Sequence, residues 1–240
     1  MENYKRIILK LSGEALSNSK SSISKEILIN ILNQVQCLQN DYHVQIGIVI
    51  GGGNIFRGDI SEELGMGKDT APADYMGMLA TTINAILITT FFNANGVKAI
   101  LQNSFAIDNV VSKTNALAAI AALEKGTVVI FGGGTGRPYV STDTAAAERA
   151  IDINANAILM AKNGVDGIYT SNPRINKDAK FIEQITFEEV VNKDLKVVDH
   201  EAMELLEGKG IDILLFNMNT TNNIINLYKD IKTKKTIIKE

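Results

Sequence analysis

Lysine and arginine residues lie beside glycines, at points where apolar segments end. Lys10 precedes Ser12-Gly13 in RIILKLSGE, and Arg57 and Arg137 each follow a run of three glycines, although the chain has only five arginines against 19 lysines. Guanidinium groups bind phosphate oxygens in a planar fork, and a charge inside a buried strand needs a partner. These cations therefore predict a phosphate site. The alternatives are an edge strand that leaves Lys10 in solvent and two ordinary surface arginines.

Four apolar segments run directly into glycine or small polar residues. They are LKLSGE, VIGGGNIFR, IFGGGTGRPYVSTD and LMAKNGVDGIY. Glycine lets the backbone approach a ligand and turn its N–H groups toward it, and a following helix adds positive potential at its N-terminus. One glycine after a strand is often just a turn, but two triple-glycine runs exceed what a turn requires. The pattern predicts a ligand that carries several phosphates.

Two carboxylates accompany these loops. Asp143 could orient lysines around a moving phosphoryl group or hold Mg²⁺, and its alternative role is a helix N-cap. Asp74 could accept hydrogen bonds from ribose hydroxyls, although acids are common in first helical turns because of the helix dipole. The groups predicted to grip an acceptor phosphate are Thr135, Thr142 and the backbone around Gly136.

Several other kinds of site are disfavoured. The P-loop motif G-x-x-x-x-G-K-[ST] is absent, and Phe56 and Arg137 occupy the position of the third glycine in the dinucleotide motif G-x-G-x-x-G. The chain has two histidines and one cysteine, Cys37. These residues do not support a histidine metal site, a zinc cluster or a Ser-His-Asp triad.

The amino-acid composition limits the kinds of partner and the location that we expect for the protein. The 240 residues are 45% hydrophobic and 21% charged, which is enough apolar material for a sizeable core. The net charge of −3 disfavours a dedicated duplex-DNA binder, and we expect no nucleic-acid partner. No stretch reaches the roughly 18 apolar residues needed to cross a bilayer, so we expect no membrane association and a cytoplasmic location. The lone cysteine is typical of a reducing compartment.

The elements that must position these groups follow from apolar periodicity. Predicted strands cover 6–11, 44–50, 97–101, 127–131, 157–161 and 211–216, with a possible edge strand at 236–238. Predicted helices cover 23–38, 72–95, 113–124, 144–153, 186–192, 199–207 and 221–232. Alternation of strands and helices implies an α/β fold, a three-layer α/β/α sandwich with a mainly parallel central sheet. Ligands bind at the carboxyl ends of such strands, so all four loops should crowd one crevice.

Seven ordered blocks carry a resemblance to a known family. They are YKRIILKLSGEAL, VIGGGNIFRG, DYMGMLAT, GGGTGRPYVSTDTAA, AKNGVDGIYTSNP, LKVVDHEAM and FNMN. Across essentially the whole chain, the sequence resembles the bacterial UMP kinases of the amino acid kinase superfamily. The resemblance implies transfer of the γ-phosphoryl group of ATP to UMP, giving UDP and ADP, in pyrimidine nucleotide biosynthesis. It also implies Mg²⁺, bridged mainly by the nucleotide phosphates.

The resemblance also assigns residues to these roles. Catalytic roles fall to Lys10, Arg57 and Asp143. The implied ATP-binding residues are Lys10, Leu11, Ser12, Gly13, Gly53, Arg57, Asn163, Tyr169 and Asn172. The implied UMP-binding residues are Gly52, Asp74, Thr135, Gly136, Arg137, Pro138, Tyr139, Val140, Ser141 and Thr142.

Organisation and assembly are implied as well. One domain spans residues 1–240, with an acceptor lobe over about 1–150 and an ATP lobe over about 151–240. Family members are hexamers, and one predicted helix offers either a subunit interface or a core stripe. The apolar residues in question are Met76, Met78, Leu79, Ile83, Ile86 and Leu87.

The chain departs from the family pattern at several points. Asn172 stands where many relatives carry an aspartate, and Arg137 replaces a common asparagine, adding a cation beside the acceptor site. Lys162 is one position away from the lysine of some relatives, so we do not assign it a catalytic role here. The segment SNSKSSIS lacks the pattern associated with GTP activation, so GTP activation is not expected, whereas feedback inhibition by UTP remains open.

Two other functions compete with this one. A sibling kinase of the same fold would act on carbamate or an amino-acid carboxylate, and would need only a compact acceptor pocket. A non-catalytic nucleotide sensor would be expected to lack Lys10 or Asp143, and both are present.

Overall fold

Strands and helices alternate along the chain, as the sequence predicts. The structure is a computed structural model, and it describes residues 4–67, 70–171, 175–193, 195, 197–229 and 233–240. The strands are β1 (Arg6–Leu11), β2 (Gln45–Ile50), β3 (Ala99–Asn103), β4 (Val128–Gly132), β5 (Ala157–Lys162), β6 (Ile168–Tyr169), β7 (Phe181–Ile182), β8 (Gln184–Thr186), β9 (Asp212–Asn217) and β10 (Lys235–Lys239). The helices are α1 (Lys25–Tyr42), α2 (Gly58–Glu63), α3 (Ala71–Ala94), α4 (Ala116–Glu124), α5 (Thr142–Asp152), α6 (Phe187–Asn192), α7 (His200–Leu206) and α8 (Asn223–Asn226), and a 3₁₀ helix (Gly13–Leu16) follows β1.

Eight strands form one sheet in the order β3-β4-β2-β1-β5-β9-β10-β8, and β6 and β7 form a separate antiparallel pair. The first six strands in this order, β3, β4, β2, β1, β5 and β9, are parallel to one another, so their carboxyl ends lie at one edge of the sheet. Lys10 pairs in register with Val49 of β2 and Met160 of β5. β1 is therefore an interior strand, and the alternative of an edge lysine in solvent is wrong.

Helices cover both faces of the sheet. Ile7 and Leu9 of β1 pack in one core cluster with residues of α1 and α3, whereas Ile8 packs in a second cluster with α5. Side chains alternate between faces along a strand, so Lys10 lies on the same face as Ile8, toward α5. The predicted three-layer sandwich is confirmed, and its geometry aims Lys10 at the start of α5.

Helix α3 packs along the sheet and also reaches the crevice. Thr70 caps its N-terminus by accepting a hydrogen bond from the N–H of Ala73, and Pro72 lies in its first turn. Although α3 contains no run of 18 consecutive apolar residues, it is the one helix among the described residues that is long and apolar enough to cross a membrane by length and composition only, with an 18-residue window of mean hydropathy 1.4. Ile88 and Phe92 of this helix are buried in the core, so α3 forms part of the sandwich.

The C-terminal part differs from the prediction. β10 is not an edge strand, because it lies between β9, to which it is antiparallel, and β8. β8 has three residues, too few to produce a readable pattern. The helix predicted over 221–232 spans only α8, since Asn222 before it adopts a left-handed backbone with φ 58°; its end at 230–232 lies outside the described residues. Helix α4 begins three residues later than predicted, at the cap formed by Asn115.

Candidate active site

Two lysines and an aspartate form an ion-pair cluster at the carboxyl edge of the sheet. Lys10 Nζ lies 2.5 Å from Asp143 Oδ1, and Lys162 Nζ lies 3.5 Å from Asp143 Oδ2. The side chains of Lys10 and Asp143 are each 11% exposed, and that of Lys162 is 27% exposed. The three residues come from β1, the first turn of α5 and the last position of β5. The cluster is therefore assembled by the neighbouring positions of β1 and β5 in the sheet.

The N-cap of α5 does not use the Asp143 carboxylate, which contacts the two lysines instead. Ser141 Oγ accepts hydrogen bonds from the backbone N–H groups of Asp143 and Thr144, at 3.1 and 3.2 Å. Ser141 is thus the N-cap, and the alternative N-cap role of Asp143 is wrong.

Burial and charge act together on the pKa values of this cluster. Burial raises the pKa of Asp143, but attraction to Lys10 and Lys162 outweighs it and holds that pKa below its usual value. Burial lowers the pKa of Lys162, and attraction to Asp143 offsets only part of this effect. With both lysines protonated, the cluster carries one net positive charge, which favours an anionic ligand.

Both triple-glycine segments lie close to α3. A Cβ atom on Gly52 would lie 2.8 Å from the carbonyl oxygen of Gly77 and 2.9 Å from Cβ of Ala80. Gly133 and Gly134 have φ angles of 76° and 55°, in the left-handed region that glycine adopts readily. Some of these glycines are therefore required for packing against α3 or for a left-handed turn, and the predicted phosphate binding is not needed to explain them.

A cavity of about 240 Å³ lies between the two glycine loops, α3 and the start of α5. The predicted UMP residues that line it are Gly52, Asp74, Arg137, Val140, Ser141 and Thr142. Asp74 Oδ2 accepts a hydrogen bond of 2.6 Å from the backbone N–H of Tyr139, which ties the second glycine loop to α3. Hydroxyl groups and a helix N-terminus face this cavity, and both suit a phosphate. Gly53 lines it too.

Two further cavities adjoin Lys162. One, of about 720 Å³, is lined by Ser12, Arg57, Lys162 and Asn163 among others. The other, of about 480 Å³, is lined by Asp143 and Lys162 together with apolar side chains such as Met203. The cluster of Lys10, Asp143 and Lys162 thus adjoins the two larger cavities, and Thr142, next to Asp143, lines the small one.

Both predicted loop arginines are engaged by glutamates. Arg57 Nη2 lies 2.9 Å from Glu14 Oε1, and Arg57 Nε donates to the carbonyl oxygen of Gly53 at 2.7 Å. Arg137 Nη2 lies 2.6 Å from Glu148 Oε1 and 3.5 Å from Glu201 Oε1. Their side chains are 51% and 56% exposed, so either could exchange a glutamate for a phosphate oxygen.

The other predicted residues are distributed along the same edge. Leu11 is fully buried in the core, so only its backbone faces the site, whereas Gly13 is packed against the first glycine loop. Thr135 Oγ1 lies within its own loop, accepting from the N–H of Arg137 at 3.2 Å. Half-buried Gly136 and Pro138 continue this loop.

Two of the remaining predicted ATP residues, Asn163 and Tyr169, come after β5 in the chain. Asn163 Oδ1 accepts a hydrogen bond of 2.8 Å from Asn219 Nδ2, beside the largest of the three cavities. Tyr169, on the β6–β7 pair, stacks edge-on against Phe181 with ring centroids 5.2 Å apart, outside these three cavities. Asn172 lies outside the described residues.

Sequence reasoning missed several residues of the site. Lys162 contacts Asp143, and its position at the end of β5, just before Asn163-Gly164, was the available signal. Phe56, Met78 and Thr81 line the small cavity. All three lie in the quoted blocks VIGGGNIFRG and DYMGMLAT, but a block does not show which of its side chains face a cavity. Met78 was considered only for an interface or a core stripe, because helical apolar spacing does not distinguish those roles from a cavity wall.

Over most of its length, the chain is similar to known proteins of one family. The model of the amino acid kinase family matches residues 5–217. A uridylate kinase of Limosilactobacillus reuteri (strain DSM 20016) is 45% identical over 223 residues, which is 92% of each chain. The crystal structure of UMP kinase from Ureaplasma parvum superposes with a TM-score of 0.91 at 38% identity and covers 99% of each chain. That of UMP kinase from Bacillus anthracis has a TM-score of 0.89 at 35% identity and covers 99% of this chain and 97% of that one. The chain therefore belongs to the amino acid kinase family, and within it to the bacterial uridylate kinases, also called UMP kinases.

Proposed function

We propose that this protein transfers the γ-phosphoryl group of ATP to UMP, forming UDP and ADP. The observation that carries the proposal is the cluster of Lys10, Asp143 and Lys162. Two larger cavities adjoin this cluster, and Thr142, which precedes Asp143, lines the small cavity. Phosphoryl transfer needs two substrates held in line and positive charge at the transferred group. Cavities on either side of a cationic cluster support such a reaction.

In the proposed reaction, a phosphate oxygen of UMP attacks the γ-phosphorus of ATP, and the bond to the β–γ bridging oxygen breaks. The attacking oxygen is already anionic near neutral pH, because the second pKa of a phosphate monoester is about 6. No general base is required. Asp143 therefore acts by orienting the ammonium groups of Lys10 and Lys162, which neutralise charge on the transferred phosphoryl group.

UMP occupies the small cavity in this proposal. Its phosphate would lie against Gly52 and Thr142, at the start of α5, where the helix N-terminus favours negative charge. Residues 1–150 would then form the acceptor lobe. ATP would extend from the turn at Ser12-Gly13 across Lys162 toward Asn163, so that 151–240 hold its nucleoside.

Mg²⁺ would enter with ATP. Asp143 is the carboxylate of the cluster, and each of its oxygens faces a lysine ammonium. No group of three His, Cys, Asp or Glu side chains suited to a metal occurs among the residues that the structure describes. This donor set fits an ion whose ligands are phosphate oxygens and water. When bound, Mg²⁺ neutralises part of the triphosphate charge.

A coupled ADP-release assay tests the function. The purified protein is given ATP with UMP, CMP, dUMP or acetylglutamate, each with and without Mg²⁺. We expect turnover with UMP that requires Mg²⁺. Turnover with acetylglutamate but not UMP would point to the sibling kinase, and calorimetric binding of both nucleotides without ADP release would point to a sensor.

Self-association is a further part of the proposal. Tyr75, Leu79 and Ile83, spaced four residues apart on α3, are 49%, 46% and 52% exposed. Of the six residues named from the sequence, Leu79 and Ile83 belong to this exposed stripe, whereas Met78 is buried in the wall of the small cavity and Leu87 packs against the core. Tyr75 was not among the six. The exposed stripe of Tyr75, Leu79 and Ile83 suits the packing of a second copy in a hexamer. We also propose a cytoplasmic location and leave UTP inhibition as a test in the same assay.

A further inference from the structure

Helix α3 carries an asparagine that the proposed mechanism does not use. The side chain of Asn84 is fully buried. Its Nδ2 donates to the carbonyl oxygen of Gly51 at 2.8 Å and to Asn54 Oδ1 at 2.7 Å, and Asn54 Nδ2 lies 3.2 Å from Asn84 Oδ1. The two amides therefore pair reciprocally beneath the first glycine loop. We call Asn54 and Asn84 the amide pair.

The amide pair also contacts the turn after β1. A Cβ atom on Gly13 would lie 2.5 Å from Asn54 Oδ1 and 2.9 Å from Asn54 N, so this turn lies directly on Asn54. The backbone N–H of Gly51 donates to the carbonyl oxygen of Leu11 at 2.9 Å. Asn54 Nδ2 further donates to the carbonyl oxygen of Ser22 at 2.9 Å, in the segment before α1. Four segments of the chain therefore meet at the amide pair.

These segments belong to opposite sides of the proposed reaction. Gly52 lines the acceptor cavity, whereas Ser12 and Arg57 line a cavity on the donor side. We propose that the amide pair is a positioning device, which fixes the donor-side turn against the acceptor-side loop and so sets the alignment of the two phosphates. This inference rests on the proposed function.

The amide pair controls the position of the two loops relative to each other. Without the amide of Asn84, each loop remains attached to its own strand, so each nucleotide keeps its contacts. The carbonyl of Gly51 and the amide of Asn54 lose a buried partner, and the loops can shift against each other. In-line transfer is sensitive to displacements of about 1 Å, which can lower a rate about 100-fold. The loss should therefore appear in kcat more than in either KM.

The experiment compares Asn84→Ala with a matched control, Asn93→Ala. Asn93 lies on the same helix, and its side chain makes three hydrogen bonds to the backbone of Thr89 and Ala99, at 2.9–3.0 Å, near the opposite edge of the sheet. We expect both variants to unfold at a lower temperature than the wild type. We expect only Asn84→Ala to lose kcat, by about 10- to 100-fold, with both KM values nearly unchanged.

A second variant covers the case in which Asn84→Ala does not fold. Asn54 is only half-buried, and Asn54→Ala should fold and show the same selective loss of kcat. Where both single variants fold, the double variant should lose little more than either one. The inference is overturned if kcat of Asn54→Ala, and of Asn84→Ala where it folds, matches that of the Asn93→Ala control. It is also overturned if the losses of kcat in the two single variants add fully in the double variant.

Turnover of UMP by the wild-type protein distinguishes failure of this inference from failure of the proposed function. If the wild type turns over UMP and the variants match the control, only the positioning role fails. If the wild type does not turn over UMP, the proposed function fails, and the positioning role fails with it whatever the variants show.

Discussion

At the scale of single residues, the pair of Lys10 and Asp143 stands out because both charges are largely removed from water, which costs free energy. Attraction to the lysines keeps Asp143 ionised, but a buried ion pair is often no more stabilising than apolar side chains of similar volume. The side chains of Lys10 and Asp143 are each 11% exposed, whereas the ion pair of Lys193 and Glu189 is about half exposed. Charges that are costly to bury and lie beside cavities are typical of functional sites, so we explain the pair by anionic substrates.

We predict that Lys10→Ala abolishes most turnover while the fold survives. Loss of an ammonium group that stabilises the transition state should lower kcat by about 100- to 1000-fold. Steady-state kinetics with UMP and ATP measure the loss, and circular dichroism checks the fold. Lys193→Ala, which breaks an exposed pair, is the control and should keep kcat. A folded Lys10→Ala protein with near-normal kcat would show that the assigned role is wrong.

We predict that Lys162 sets the alkaline limit of activity. Burial lowers its pKa, so it loses its proton at a lower pH than an ordinary lysine, and activity that needs the ammonium declines there. Arginine stays protonated above pH 12, so Lys162→Arg should move the alkaline limb of kcat/KM to higher pH. The profile of kcat/KM reports groups of the free enzyme. An unchanged limb would exclude Lys162 as the titrating group.

Some residues of the site could be predicted from the sequence, and others could not. Lys10 and Asp143 could be found because a lysine inside an apolar strand and an acid beside a glycine loop are each unusual. Lys162 could not be assigned, since its contact with Asp143 depends on β5 lying next to β1. Asn84 gave no signal, because an asparagine within a long helix is ordinary until the loop beneath it is known.

At the scale of elements, the start of α5 matters most. Ser141 caps α5, and the same turn carries Thr142 and Asp143. We predict that Ser141→Ala costs about 1 kcal/mol of stability and also lowers kcat/KM for UMP. Asn115→Ala removes the cap of α4 and should cost a similar free energy without a kinetic effect. Urea unfolding and steady-state kinetics measure both, and equal kinetics in the two variants would contradict the account.

The interior strands were predictable because they are apolar on both faces and run into glycine or small polar residues. The C-terminal strands were not, since β8 has three residues and the position of β10 depends on that unrecognised neighbour. The start of α5 was predicted two residues late, because Ser141-Thr142-Asp143 contains three good capping residues. Local sequence does not choose among them, whereas the packing of Asp143 against two lysines does.

At the scale of the whole molecule, α3 links the crevice to the outer surface. One face of α3 contacts the glycine loops, and the stripe of Tyr75, Leu79 and Ile83 on another face is exposed. We predict that Leu79→Glu or Ile83→Glu lowers the oligomeric state, because charge opposes apolar packing. Analytical ultracentrifugation measures this, with Ile29→Glu on α1 as the control. Unchanged assemblies in both α3 variants would rule out this stripe as the interface.

We propose that two nucleotides lie end to end along one edge of the sheet, with the lysine cluster where they meet. A crystal structure with UMP and a non-hydrolysable ATP analogue would show both nucleotides at once. We predict that the UMP phosphate lies against Gly52 and Thr142, about 3.5 Å from the γ-phosphorus, with Lys10 and Lys162 on the γ-phosphate. Nucleotides bound at separate faces, or with neither lysine on the γ-phosphate, would contradict the account.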